Sequence, residues 1–185
     1  MELDLEFLRK LDKIAVKLRA AFGFFVSKDN YESFQQITYG ELSECVKQGL
    51  SGVSIFDEFA NDTFLIKCRP LAQTDGVESL KDKFEIYIDK NKKDIELLIH
   101  EVAHILLHGK ELPYNTPIGK DSGTWEQEQE ANYFARAFLI PEEFFIKALA
   151  TFSRNDGTVD LDSFSKRFNV SQKLVVERGR DLRVW

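Results

Sequence analysis

Three histidines and one glutamate hold the most specific chemistry in this chain. All three histidines of the 185 residues, His100, His104 and His108, fall within nine positions, and Glu101 follows the first of them. Four residues of an α-helix advance about 400°, so His100 and His104 leave one face a turn apart, the spacing at which two imidazoles hold one Zn²⁺ ion. Glu101 stands about 100° further round, where a carboxylate reaches a water on the metal and takes its proton. The H-E-x-x-H pattern on a helix points to zinc-assisted hydrolysis of an amide, provided a third ligand arrives from elsewhere and a fourth position stays open. His108 continues the stripe but lies ~6 Å further along the axis, too far to share the same ion easily. It is expected to support a ligand or to balance the helix C-terminus, with Gly109 ending the helix in a left-handed conformation.

Such a site needs a buried helix to carry the histidines and a second element to bring the carboxylate. Ile99, Val102, Ala103, Ile105, Leu106 and Leu107 supply the apolar surround of the first helix. The second is expected over Trp125 to Leu139, where Glu126, Glu128 and Glu130 crowd the first turns and Ala131 and Ala135 permit close packing. Glu128 shares a face with Ala131, Asn132, Ala135 and Leu139, whereas Glu130 is turned about 200° away. If the alanine face packs on the histidine helix, Glu128 reaches the metal and Asn132 orients a ligating histidine. Glu130 stays open as the alternative ligand, and Glu126 balances charge at the helix start. The intervening Glu111 to Gly123, with Pro113, Pro117, Gly119 and Gly123, is a loop placed to line or cover the cleft. Tyr114, Tyr133, Arg136, His108 and backbone N–H groups are the candidate donors to an oxyanion.

The rest of the chain reads as support. Leu3, Phe7, Leu8, Leu11, Ile14, Ala15, Leu18 and Phe22 recur at helical steps, predicting an amphipathic helix that ends near Gly23. A short helix is expected over Glu41 to Gln48. Residues 52–56, 63–68 and 84–89 are β-rich, and they predict an α+β fold, mainly helical, with a small antiparallel sheet directly before the histidine helix. Pro141 suits the start of a further helix, and Leu161–Phe168 and Val170–Leu182 form a helix pair with Ser171 as a cap. The expected organisation is an N-terminal helical segment over 1–50, a core over 51–150 and a C-terminal helix pair over 151–185.

Composition narrows the function classes. A net charge of −6 and a pI near 5.2 argue against general nucleic-acid or acidic-membrane binding. The C-terminal pair, with Lys166, Arg167, Lys173, Arg178, Arg180 and Arg183, is the one segment where DNA contact is conceivable. Cys45 and Cys68 fit neither a disulfide framework nor a cysteine zinc cluster, and the acidic start Met1 to Glu6 has no signal-peptide order. A cytoplasmic protein without a membrane span is expected.

His100-Glu101-Val102-Ala103-His104-Ile105-Leu106-Leu107-His108, then Glu128-Gln129-Glu130-Ala131-Asn132-Tyr133-Phe134-Ala135 and Leu139-Ile140-Pro141, resemble the ImmA/IrrE family of bacterial and phage-borne zinc metallopeptidases. The likeness covers about residues 84 to 145. One departure is Ala103, where the family often has glycine, a difference of a single methyl. The resemblance implies a gluzincin-like pair of active-site helices, with His100, His104 and Glu128 on the metal and Glu101 catalytic. It also implies a partner: a helix-turn-helix transcriptional repressor of a stress-response or mobile-element system, cut as substrate. Against this stand two competing expectations, a non-proteolytic regulator that docks a repressor around a structural or vestigial zinc site, and a DNA-binding regulator.

Overall fold

The computed structural model describes residues 4–24, 36–50, 53–59, 65–69, 83–89, 94–108 and 124–185. Seven helices run through them: α1 (Leu5–Ala21), α2 (Tyr39–Gly49), α3 (Ile95–His108), α4 (Trp125–Leu139), α5 (Glu142–Phe152), α6 (Leu161–Phe168) and α7 (Gln172–Asp181). Apart from Phe24, Ile37, Ile86 and Ile140, every buried apolar side chain described belongs to one of these helices.

The expectation of an α+β fold with a small antiparallel sheet is overturned. The described structure is helical, and three short stretches of extended chain, β1 (Val53–Phe59), β2 (Leu65–Arg69) and β3 (Lys83–Asp89), add only a minor ladder of order β1-β3-β2. That ladder is not antiparallel throughout: β2 runs against β3, but β1 pairs with β3 in parallel, Val53 opposite Phe84 and Ile55 opposite Ile86. The reason for the error is physical. Alternating side chains report which face of a strand is buried and carry no information about the direction of the neighbouring strand.

The chain divides into two compact units. One comprises residues 39–131, the other residues 1–38 with 132–185, so α4 contributes its first half to the former and its second half to the latter. In the first unit, α2 and α3 lie against each other and against the strands. Asp94 starts α3 by accepting from the N–H groups of Glu96 at 2.9 Å and Leu97 at 3.3 Å.

In the second unit, the buried Leu11, Ala15 and Arg19 mark one face of α1, and Gly23 closes that helix at φ +80° with its N–H on the Ala20 carbonyl. Arg19 donates to the Phe138 carbonyl at 3.0 Å. Asp12 receives the Tyr133 hydroxyl and the Arg178 Nη2, each at 2.6 Å. A cluster of Phe145, Phe152, Phe164 and Phe168 fills the space between α5 and α6, with Trp185 tilted at 53° against Phe145. Gly179 lies under the Trp185 ring, where a Cβ would overlap it, so only glycine lets the indole close over α7. No described helix is long and apolar enough to cross a membrane.

Candidate metal centre

The site is built wholly within the unit of residues 39–131. α3 is buried along most of its length, and its capped start at Asp94 fixes the phase in which His100, Glu101, His104 and His108 emerge. α4 is positioned by a reciprocal cap. Thr124 donates its N–H to Gln127 Oε1 at 3.0 Å, and Gln127 returns its N–H to Thr124 Oγ1 at 3.3 Å. The T-x-x-Q signature of that capping box stands in the sequence just before the glutamates, and it sets where Glu128 falls on the helix.

Three donor groups converge. His100 Nε2 and His104 Nε2 lie 3.0 Å apart, with their rings nearly perpendicular at 80°. The Glu128 carboxylate spans both rings, Oε2 at 3.4 Å from His100 Nε2 and Oε1 at 3.2 Å from His104 Nε2. Together the three form a set able to hold a metal ion. Two tetrahedral zinc ligands at ordinary bond lengths stand about 3.3 Å from each other, so the observed edges have the size such an ion requires. Two imidazoles and one carboxylate are also the donor types zinc takes.

The electrostatics suit the same use. Burial, reinforced by His100, holds the His104 imidazole well below its ordinary pKa, so near pH 7 it is neutral and Nε2 has a lone pair to give. The hydrogen bond from His100, outweighing partial burial, holds Glu128 below the usual carboxylate range. Glu101 is buried on α3, and burial pushes its carboxyl up to about 7, with His100 pulling down and Glu128 pushing up. A carboxyl that titrates near neutrality both accepts and returns a proton readily.

The other expected residues fall as follows. Glu130 takes no place among the three donors. It accepts from His108 Nε2 at 2.9 Å, and His108 turns its Nδ1 to His104 Nδ1 at 3.2 Å. Glu130, left open as the alternative third ligand and turned about 200° from Glu128 on α4, instead reaches His108 at the end of α3. Asn132 is half-buried on α4, and the ring nitrogen that His104 turns from the donor set meets His108 and not an asparagine. Two candidate oxyanion donors have their polar groups engaged: Tyr133 donates to Asp12, and Arg136 forms a fork on Asp181 at 2.6 and 3.0 Å. Tyr114, Gly109 and the loop from Glu111 to Gly123 lie outside the described residues.

A family model for the IrrE N-terminal-like domain matches residues 72–179, a span that includes both α3 and α4. No curated protein matches the chain. Among solved structures, a Mycobacterium tuberculosis transcriptional regulator is similar at a TM-score of 0.51 and 17% identity, over 92% of this chain and 46% of that one. This chain thus spans less than half the length of that regulator, and the likeness concerns the fold alone. The family match takes in more than half of the 185 residues, together with the histidine helix and the glutamate that faces it: the chain belongs to the Peptidase_M78 family, that of the metallopeptidase-like IrrE N-terminal domain.

Proposed function

We propose that this protein is a zinc-dependent endopeptidase that cuts a peptide bond in a protein substrate, a helix-turn-helix transcriptional repressor. The observation that carries the reading is the triangle of His100, His104 and Glu128 donor atoms beside the buried Glu101. His100, His104 and Glu128 would hold the ion, which when bound supplies a Lewis acid that acidifies water and polarises a carbonyl. Glu101 accepts the proton of the attacking water as the bond to the scissile carbon forms, and then hands that proton to the leaving amine nitrogen. Burial of Glu101 and His104 keeps competing water from their polar atoms, so the proton moves between groups held in place.

A repressor as substrate is supported by the membership in this family, whose resemblance implied such a partner. DNA draws less support. Of the basic residues in the C-terminal helices, Arg178 is fully buried against Asp12, while Lys166 and Lys173 pair with Asp162 and Glu177 on their own helices.

The test is cleavage of a purified helix-turn-helix repressor, chosen from beside this gene where one is encoded there, read by mass spectrometry of the fragments. Wild-type protein loaded with zinc is expected to cut it. Glu101→Gln should retain its zinc and fold while losing at least ~100-fold in rate, the usual contribution of a positioned general base. Equal turnover by wild type and the glutamine variant would sink the role given to Glu101, and tight binding without cutting would favour a docking regulator.

A further inference from the structure

Beside the three donors, α3 and α4 carry a second chain of contacts that leads away from the site. Glu130 Oε2 lies 2.9 Å from His108 Nε2, His108 Nδ1 lies 3.2 Å from His104 Nδ1, and His104 Nε2 faces Glu128. Each link constrains the next. A carboxylate only accepts, so His108 must carry its hydrogen on Nε2 to bond it. Only one hydrogen fits between the two Nδ1 atoms 3.2 Å apart, and a ligating His104 needs a bare Nε2, so that hydrogen is its own and His108 Nδ1 accepts. His104 must then place its own hydrogen on Nδ1, and its Nε2 lone pair is left pointing at His100 and Glu128. Both histidines are buried, at 4% exposure each, so water cannot readily substitute for either partner.

We infer that Glu130 and His108 are positioning residues that set the tautomer and ring orientation of His104 for metal binding, through a Glu130–His108–His104 hydrogen-bond relay. The inference rests on the zinc-site reading above and deepens it. A ligating histidine usually bonds its second ring nitrogen to a carboxylate or carbonyl directly. Here an additional imidazole stands between, which accounts for a third histidine one turn beyond a pair that already completes the motif. It also gives separate tasks to two glutamates two residues apart, Glu128 to the donor set and Glu130 to the relay.

The experiment titrates the full chain with Zn²⁺ against a chromophoric chelator, and follows ¹⁵N-labelled histidine side chains by NMR. Relative to wild type, Glu130→Ala and His108→Phe should each weaken zinc binding about 10- to 100-fold. Glu130→Gln, whose amide oxygen still accepts from His108 Nε2, should recover most of that loss. In the zinc-loaded wild type, His104 should carry its proton on Nδ1 and His108 on Nε2, and Glu130→Ala should abolish the single tautomer of His108. Glu130 is about a fifth exposed, so its variants test the relay even if His108→Phe does not fold. Wild-type affinity in Glu130→Ala with unchanged tautomers would overturn the relay while leaving the site intact. Zinc binding that persists in His104→Ala would instead remove the site itself, and the relay with it.

Discussion

Two buried polar clusters in this protein are made from similar materials and do opposite things. In the unit of residues 1–38 and 132–185, Arg178 donates Nη2 to Asp12 and Nε to the Ile140 carbonyl, its guanidinium lies over the Tyr133 ring, and Arg136 grips Asp181. Cations there meet anions, and of the polar atoms of Arg178 only Nη1 has no hydrogen-bond partner among the described residues. In the unit of residues 39–131, His100, His104 and Glu128 bring metal-ligating nitrogen and oxygen atoms toward one another. The first cluster contains its own counter-charges. The second is a set of ligand atoms for which a metal cation is the natural centre. Buried charge alone therefore does not distinguish scaffold from site; the sign of what converges does.

The sharpest way to break the contrast is to remove one partner from each cluster. Asp12→Ala strips the counter-ion from a guanidinium that is fully buried, and should lower the stability of the fold by about 3–5 kcal/mol in denaturant unfolding. Zinc affinity of the folded fraction should stay at the wild-type value, and a parallel loss of zinc would deny that the clusters have separate roles. His104→Ala makes the reciprocal change. Wild type in zinc at 100-fold above its dissociation constant should gain about 2.7 kcal/mol, seen as a raised melting temperature, and the variant should gain none. Metal analysis showing full occupancy in His104→Ala would count against the ligand set.

Smaller changes sharpen the same contrast. Ser171 caps α7 by accepting from the Leu174 N–H at 3.1 Å, so Ser171→Ala should cost about 1 kcal/mol and calibrate how much of the Asp12 effect is electrostatic. The smallest expected effect is at Asp160, which caps α6. The Ser163 N–H, helped by Arg154, holds its carboxyl below the usual carboxylate range. A depressed folded pKa means that its contribution is present above the unfolded value near 4 and is lost as pH falls through the folded one. Asp160→Asn should therefore give up a small part of the stability at pH 7 and flatten the acid limb of the unfolding curve below about pH 4, where the wild type has lost that part too. An identical acid limb would remove Asp160 from the account.

How legible the molecule was depended on the range of the forces involved. The phase of His100, Glu101 and His104 is a property of one helix, and it follows from a spacing of three and four residues. The end of α1 at Gly23 is equally local, since a left-handed residue there is a glycine. The T-x-x-Q box at the start of α4 is local as well, since Thr124 and Gln127 lie three residues apart. The sheet was misread because strand alternation carries no direction, and its helical surroundings supply most of the described core. Tyr133 and Arg136 looked available for catalysis because nothing near them in the chain reveals Asp12, 121 residues away, or Asp181, 45 residues away.

What the amino-acid order determined alone is the chemical repertoire: two imidazoles on one helical face with a carboxylate between them, and a second helix rich in glutamate. Periodicity suffices for that, since neighbours on a helix are set by backbone geometry. Which glutamate faces which histidine was decided only when α3 and α4 packed together. Glu128 and Glu130 are identical in type and two positions apart, and only the placement of one helix against the other sends one carboxylate to His100 and His104 and the other to His108.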